Sequence, residues 1–271
     1  ALPPLLAVLL ITALVFGAAL LWLEGRHRLR PASPLQLSTT DWKVLRQGDG
    51  QVLVKGTLRI HNPHGRMEVF VPEIELRPTL LGRADLGGLQ VHSEIRAQHP
   101  DEETRADNYW FAYIVKGRKT TQAQARVTIN AAEGADLNRL LDTLWLEILW
   151  VNYGPFGRLQ RRDGVLIPLR RPAAAQRETA QWRQGDRCSV LPIRTHLLGT
   201  LDDPAEVLRH YAGAVLQPGD VLTIGETPLA VMQGRYHHPQ MVEPSPLARL
   251  LCRVFHPTSS LASACGMQTL I

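Results

Sequence analysis

Few side chains in this sequence stand at spacings that chemistry requires. Thr258-Ser259-Ser260 follow His256-Pro257 and fall where a helix is predicted to start. Backbone N–H groups there, with the hydroxyls of Ser259 and Ser260, form a cradle suited to a phosphate. A plain N-cap uses the same residues. Cys252 and His256 are four apart on a predicted helix and His237-His238 lie near in sequence, but the spacings match no zinc motif. His61 and His64 flank a predicted turn with no Cys or carboxylate to complete a ligand set, and no metal site is expected. A nucleophilic Cys252 or Cys265 would need an orienting base, and none can be assigned. Buried structural cysteines are the expectation.

The whole-chain chemistry is equally restrained. The 271 residues are 45% hydrophobic and 20% charged, which excludes wholesale disorder. Three cysteines without a CxxC pair exclude a disulfide framework and a zinc ribbon. The net charge is +5, and arginine dominates the 30 basic residues. Arginine suits phosphate recognition, and a compositional bias explains the same count. The positive charge is dispersed and no aromatic residues interleave with a basic patch, so nucleic acid is not an expected partner.

The elements that would position such groups begin with an apolar run. Residues 2–23 carry no charge and, at about 1.5 Å per residue, reach about 33 Å, the thickness of a hydrocarbon core. Backbone in lipid must bond to itself, so the run is predicted to be a helix. Trp22 suits the interface, and the run ends in Leu-Leu-Trp-Leu instead of a small-x-small cleavage site. The expectation is a transmembrane helix over 1–24 with the bilayer as partner. Arg26, Arg28 and Arg30 follow it, and the positive-inside tendency puts the rest of the chain on the cytoplasmic side. Starting at Ala1 and stopping at Thr269-Leu270-Ile271, the sequence reads as part of a longer product.

A basic linker is expected over 25–38, broken by Pro31 and Pro34. Alternation then takes over, with Val54, Gly56, Leu58 and Ile60 against Lys55, Thr57, Arg59 and His61. Asn62-Pro63-His64-Gly65 is a turn. Met67, Val69 and Val71 lie on one parity, Ile74 and Leu76 on the other, so a bulge or edge position is predicted at Pro72. Further strands are predicted at 89–96, 109–115 and 122–129, with a final one at Val165–Leu169. Together they predict an antiparallel sandwich or barrel, taken as a sandwich over 39–170. Asp136 to Trp150 is predicted to be one helix, from Leu137, Leu140, Leu141, Leu144, Ile148 and Leu149.

Residues 171–187 are polar and form a second linker. From Cys188 an α/β unit is predicted over 188–271. Asp203-Pro204-Ala205-Glu206 is a capping box opening a helix whose buried face includes Val207, Leu208, Tyr211 and Val215. Pro218-Gly219-Asp220 is a turn, Val221–Ile224 a predicted strand resuming at Leu229–Met232, and Pro244–Phe255 a predicted helix. The fold class is therefore α+β: one transmembrane helix, an antiparallel β-sandwich with one helix, then a partial α/β unit.

Two resemblances bear on function. Lys55-Gly56-Thr57-Leu58-Arg59-Ile60-His61-Asn62-Pro63, within 52–81, is similar to the LEA-14 and water-stress (WHy) family. That implies a small Ig-like or fibronectin-like sandwich without catalytic residues. Leu191-Pro192-Ile193, the helix after Asp202-Asp203, Gly219-Asp220-Val221-Leu222, Gln233-Gly234-Arg235 and Glu243-Pro244-Ser245 resemble the opening segment of the coenzyme F420-0:γ-glutamyl ligase family, over roughly 190–245. That resemblance implies GTP with Mg²⁺ or Mn²⁺, joining of L-glutamate to a phosphate-linked deazaflavin, a homodimer, and Arg235 beside Gly234 as an anion contact. Val231 stands where the family has lysine and Gln233 where it has an acid. The expected function is a membrane-anchored ligase-like protein. The alternative is a non-catalytic membrane-associated binding or scaffold protein that keeps the fold.

Overall fold

In a computed structural model the chain is described at all residues except 1–2, 29–32, 48–49, 83–85, 102–109, 111, 132–135, 236–241 and 243. Helix α1 spans Pro4–Arg28, and Pro4–His27 is long and apolar enough to cross a membrane; a signal sequence near an N-terminus has the same character. Its side chains are exposed almost throughout, as lipid-facing residues would be. The helix runs past the predicted end at residue 24. The first strand, β1 (Gln36–Gln47), begins inside the predicted linker.

Two four-stranded antiparallel sheets follow, packed face to face. The first has the order β1-β2-β6-β4, with β2 Gln51–His61, β4 Gln90–Gln98 and β6 Thr120–Asn130. The second has the order β5-β3-β7-β8, with β3 Val69–Gly82, β5 Tyr113–Val115, β7 Leu141–Gly154 and β8 Gly157–Pro168. The chain crosses between sheets at β2–β3, β3–β4, β4–β5, β5–β6 and β6–β7, an Ig-like weave. Alternate residues point inward as period two requires: Val52, Val54, Leu58 and Ile60 of β2 meet Ala123, Ala125, Val127 and Ile129 of β6 in one buried cluster. Gly56 leaves room there for the Trp42 ring, whose nearest carbon would lie 2.3 Å from a Cβ at that position.

Several expectations hold. The register of β3 against β7 shifts between Phe70 and Glu73, the bulge foreseen at Pro72. Asn62 closes the turn after β2: its amide donates to Met67 O (2.7 Å) and Val115 O (3.0 Å), and its oxygen accepts from His64 N (3.1 Å). Of the strand predicted over 109–115, Tyr113–Val115 forms, while residues 109 and 111 lie outside the described residues.

The predicted helix over 136–150 is wrong. Asp136 does cap a helix, accepting from Asn138 N, but α2 lasts only Leu137–Leu140 before the chain turns into β7. β7 is a central strand between β3 and β8, buried along much of both faces, so its apolar residues run almost without a break. Such a run hides period two and imitates helical spacing. Val151, Ile148, Thr143 and the two tryptophans favour the pleated form.

Beyond β8 the elements are small. A two-stranded ribbon pairs β9 (Arg183–Gln184) with β10 (Ser189–Val190). Helices α3 (Pro204–Ala212), α4 (Glu226–Met232), α5 (Pro246–Leu251) and α6 (Ala264–Leu270) follow. Asp203 caps α3 through Glu206 N, as the capping box requires. No strand forms at Val221–Ile224, and Leu229–Met232 belongs to α4. Pro228 sits in that helix's first turn, where its missing N–H costs nothing. The cysteines are not buried: Cys188 is exposed, Cys252 and Cys265 are partly exposed, and none is in a disulfide.

Candidate functional site

The exit of β8 lies against the start of β7. Leu169 N and Arg170 N both donate to Asp142 O (3.0 Å each), and Arg170 Nε donates to the Asp142 carboxylate at 2.9 Å. Arg46 of β1 reaches Leu169 O from the other sheet. The chain then leaves through Arg171 and Pro172, and returns along the same end as Arg194-Thr195-His196-Leu197. Between these segments and the ends of β3 and β7 lies a cavity of about 550 Å³, lined by Leu81, Gly82, Asp142, Thr143, Arg170, Arg171 and Arg194 to Leu197 among others.

His196 forms part of its wall and is itself buried. Its Nδ1 is 2.6 Å from the Tyr211 hydroxyl and its Nε2 is 2.9 Å from Asp202 Oδ1, while Asp202 Oδ2 accepts from Gly199 N at 2.9 Å. Burial alone would raise the Asp202 carboxyl. The His196 hydrogen bond, the Gly199 N–H and the nearby Arg171 outweigh it and hold the group below its ordinary value. Burial pushes the Tyr211 hydroxyl up, so it remains a proton donor. With Asp202 ionised, Nε2 carries the hydrogen facing it and Nδ1 accepts from Tyr211. Gly199 is required beside this network, since a Cβ there would stand 2.9 Å from Cβ of Leu166 in β8.

A second cavity of about 350 Å³ adjoins the first and shares Arg171 and His196 with it. Arg170 is paired with Asp142, and the exposed residues Arg171 and Arg194 are among those lining the larger cavity. Two arginines on one cavity with a fixed imidazole in its wall have the residue types that recognise carboxylates and phosphates.

The residues singled out from sequence lie elsewhere. Gly234 (φ +67°) ends α4 in a Schellman motif: Arg235 N donates to Ala230 O (2.9 Å) and Gly234 N to Val231 O (3.0 Å). Gly234 also lines a third cavity of about 1080 Å³, with Trp145, Arg162, Thr200, Gln268 and Thr269. Arg235 is exposed. Ser259 Oγ accepts from Leu261 N, a plain N-cap on a 3-10 turn, and Ser260 O accepts from Ser263 Oγ. Ser259 and Ser260 line none of the three cavities. His64 Nδ1 accepts from Met67 N and Arg66 N, and His256 Nδ1 pairs with Thr258 Oγ1. His237 and His238 lie outside the described residues.

The divalent metal implied by the ligase resemblance finds no home here. Among the described residues no three His, Cys, Asp or Glu side chains come together to hold one. Val231 offers neither charge nor ligand, and the helix-capping Gln233 brings an uncharged amide in place of an acid. The described residues do not fit a metal site.

The His196–Asp202–Tyr211 network escaped the sequence reading. Asp202 was overshadowed by Asp203, whose capping role is local, and Tyr211 by its place on an apolar helix face. The one usable signal was the Arg170-Arg171 pair at a strand end.

Comparison with known proteins gives one family match: residues 36–171 match the family described as F420-0:gamma-glutamyl ligase, N-terminal Ig-like domain. The match covers the sandwich and not residues 190–245, where the resemblance to that ligase was drawn, and the resemblance of 52–81 to LEA-14 finds no support. No curated protein matches the chain. Among solved structures, the GAE domain of GGA2p from Saccharomyces cerevisiae is similar over 52% of this chain and 95% of that one, with 8% identity and a TM-score of 0.29.

Proposed function

The chain belongs to the F420-0:gamma-glutamyl ligase family through its N-terminal Ig-like domain, and from that premise we propose that it is a membrane-tethered protein that holds an anionic substrate of γ-glutamyl ligation. Helix α1 is the tether, with the remaining residues on the cytoplasmic side of the bilayer. Residues 188–271 are the opening of the ligase-like unit, and the cavity at Arg171, Arg194 and His196 is its anion site. The observation that carries this reading is that cavity, built where the Ig-like sandwich of a ligase family meets the segment that follows it.

Arg171 and Arg194 clamp the phosphate or carboxylate oxygens of the substrate, and the His196–Asp202–Tyr211 network keeps the wall rigid. The cavity lies at the far end of the strands from α1. The 12 residues of β8 span about 40 Å, so the site stands roughly that far above the bilayer. GTP and Mg²⁺ or Mn²⁺ enter this reading only through the family, as does a homodimer, and no step is assigned to them here. Purified full-length protein tests it: incorporation of labelled glutamate into a phosphate-bearing acceptor, above a heat-inactivated control, is the supporting result. Absence of both incorporation and nucleotide binding by calorimetry removes the ligase part.

A second reading is favoured by Val231 and Gln233, which stand where the ligase resemblance implies a lysine and an acid. In it the chain is a membrane-associated binding or scaffold protein that retains the fold without chemistry. Anion binding without glutamate incorporation distinguishes it from the first.

A further inference from the structure

Helix α1 does not leave the sandwich free. The His27 ring lies 4.9 Å from the ring of Phe156, at the tip of the β7–β8 hairpin, in an edge-on contact. The residues between α1 and β1, 29–35, extend at most about 25 Å, so the same end of the sandwich faces the end of the helix.

That end carries an apolar row on the outer face of the second sheet. Ile114 of β5 is opposite Phe70 of β3, Phe70 is opposite Tyr153 of β7, and Tyr153 is opposite Arg158 of β8. The four therefore stand side by side across the whole sheet. Ile114 is 47% exposed, Phe70 38%, Tyr153 44% and Phe156 52%, and the Phe70 and Tyr153 rings are 6.0 Å apart. Large side chains of this kind in contiguous array mark an interaction surface. The adjoining turns add exposed Arg66, Arg118 and Lys119.

We propose that this row and Phe156 form a foot that rests in the headgroup region of the same bilayer α1 crosses, fixing the sandwich upright. The chemistry favours lipid over a protein partner. Aromatic rings with a flanking guanidinium are the composition of a membrane interface, and Trp22 with Arg26 over its ring (4.7 Å) sets the interface level on the helix itself. Cations in the turns meet anionic headgroups near the surface. The proposal rests on α1 being a membrane span, and its test separates the two.

The full chain, with Cys188, Cys252 and Cys265 replaced by Ser, is placed in phosphatidylcholine–phosphatidylglycerol nanodiscs. Single nitroxides are attached at Val15→Cys in the helix, Pro155→Cys beside Phe156, or Gly50→Cys at the opposite end, where a new Cβ meets open space. Accessibility to oxygen relative to a water-soluble nickel chelate reports lipid contact. The expected result is a lipid-like ratio at 15 and a ratio at 155 at least about threefold that at 50. That excess should disappear in the Tyr153→Ser, Phe156→Ser chain. Both side chains are exposed, so folding should survive, and unchanged circular dichroism verifies it; otherwise Phe156→Ser alone serves. A lipid-like 15 with 155 as wet as 50 overturns the foot and leaves the anchor. A wet 15 overturns the anchor and the foot with it. A lipid-like 155 untouched by the substitutions overturns the assignment to these side chains.

Discussion

Nε2 of His196 lies 2.9 Å from Oδ1 of Asp202, and both side chains are buried where the chain turns back over β8. An ionised carboxylate there stabilises only while it has its partner. Asp202→Asn removes the charge and leaves the imidazole poorly matched. Opening of residues 196–212 is expected to become easier by about 2 kcal/mol, a drop of roughly thirtyfold in amide protection by hydrogen exchange.

The same pair sets a pH dependence. Because the Asp202 pKa is lowered in the folded chain, its contribution is complete above the ordinary value of 3.8 and is lost as the pH falls through the lowered value. Amide protection of α3 should therefore hold from neutrality to mildly acid pH, then fall below that ordinary value. In Asp202→Asn the acid-dependent fall should flatten. Thermal melting or exchange across that window checks it.

Gly56 and Gly50 should respond in opposite ways to alanine. At Gly56 a Cβ would meet the Trp42 ring at 2.3 Å, and at Gly50 it meets nothing within 4 Å. Gly56→Ala is expected to cost about 1–3 kcal/mol through displacement of the indole, with a changed tryptophan emission. Gly50→Ala should stay within about 0.5 kcal/mol of the parent in denaturant titration.

The proposed anchor has a direct biochemical consequence. With Pro4–His27 long and apolar enough to cross a membrane, an anchored protein should stay with vesicles through an alkaline carbonate wash. Release into the supernatant would contradict a spanning helix and favour a cleaved or peripheral segment.

How far the fold could be read from sequence depended on whether each element left a local mark. β2 and β6 show clean alternation because one face of each meets solvent, and the capping of α3 by Asp203 is contained within four residues. β7 left no such mark. Buried between two neighbours, it has no polar face to betray period two, and its pairing with β3 joins residues some seventy positions apart. β1 was hidden for another reason: Asp41, at φ 57°, and the register shift between Thr40 and Lys43 interrupt its alternation. The site was harder still. Arg171, Arg194 and Asp202 come together only once β8 has delivered the chain to the far end of the sandwich. At Gly234-Arg235 the structure adds a local role, with both backbone N–H groups closing the end of α4.

The anion site is tested most directly by calorimetric titration of the full chain in nanodiscs with inorganic phosphate and with GTP, with and without Mg²⁺, against Arg171→Gln, Arg194→Gln protein. The expected result is saturable binding that weakens at least about tenfold in the double variant, two charge-assisted contacts being lost, and falls with added salt. Equal affinity in parent and double variant, or no saturable heat with any of these anions, would contradict a substrate site at the end of the sandwich.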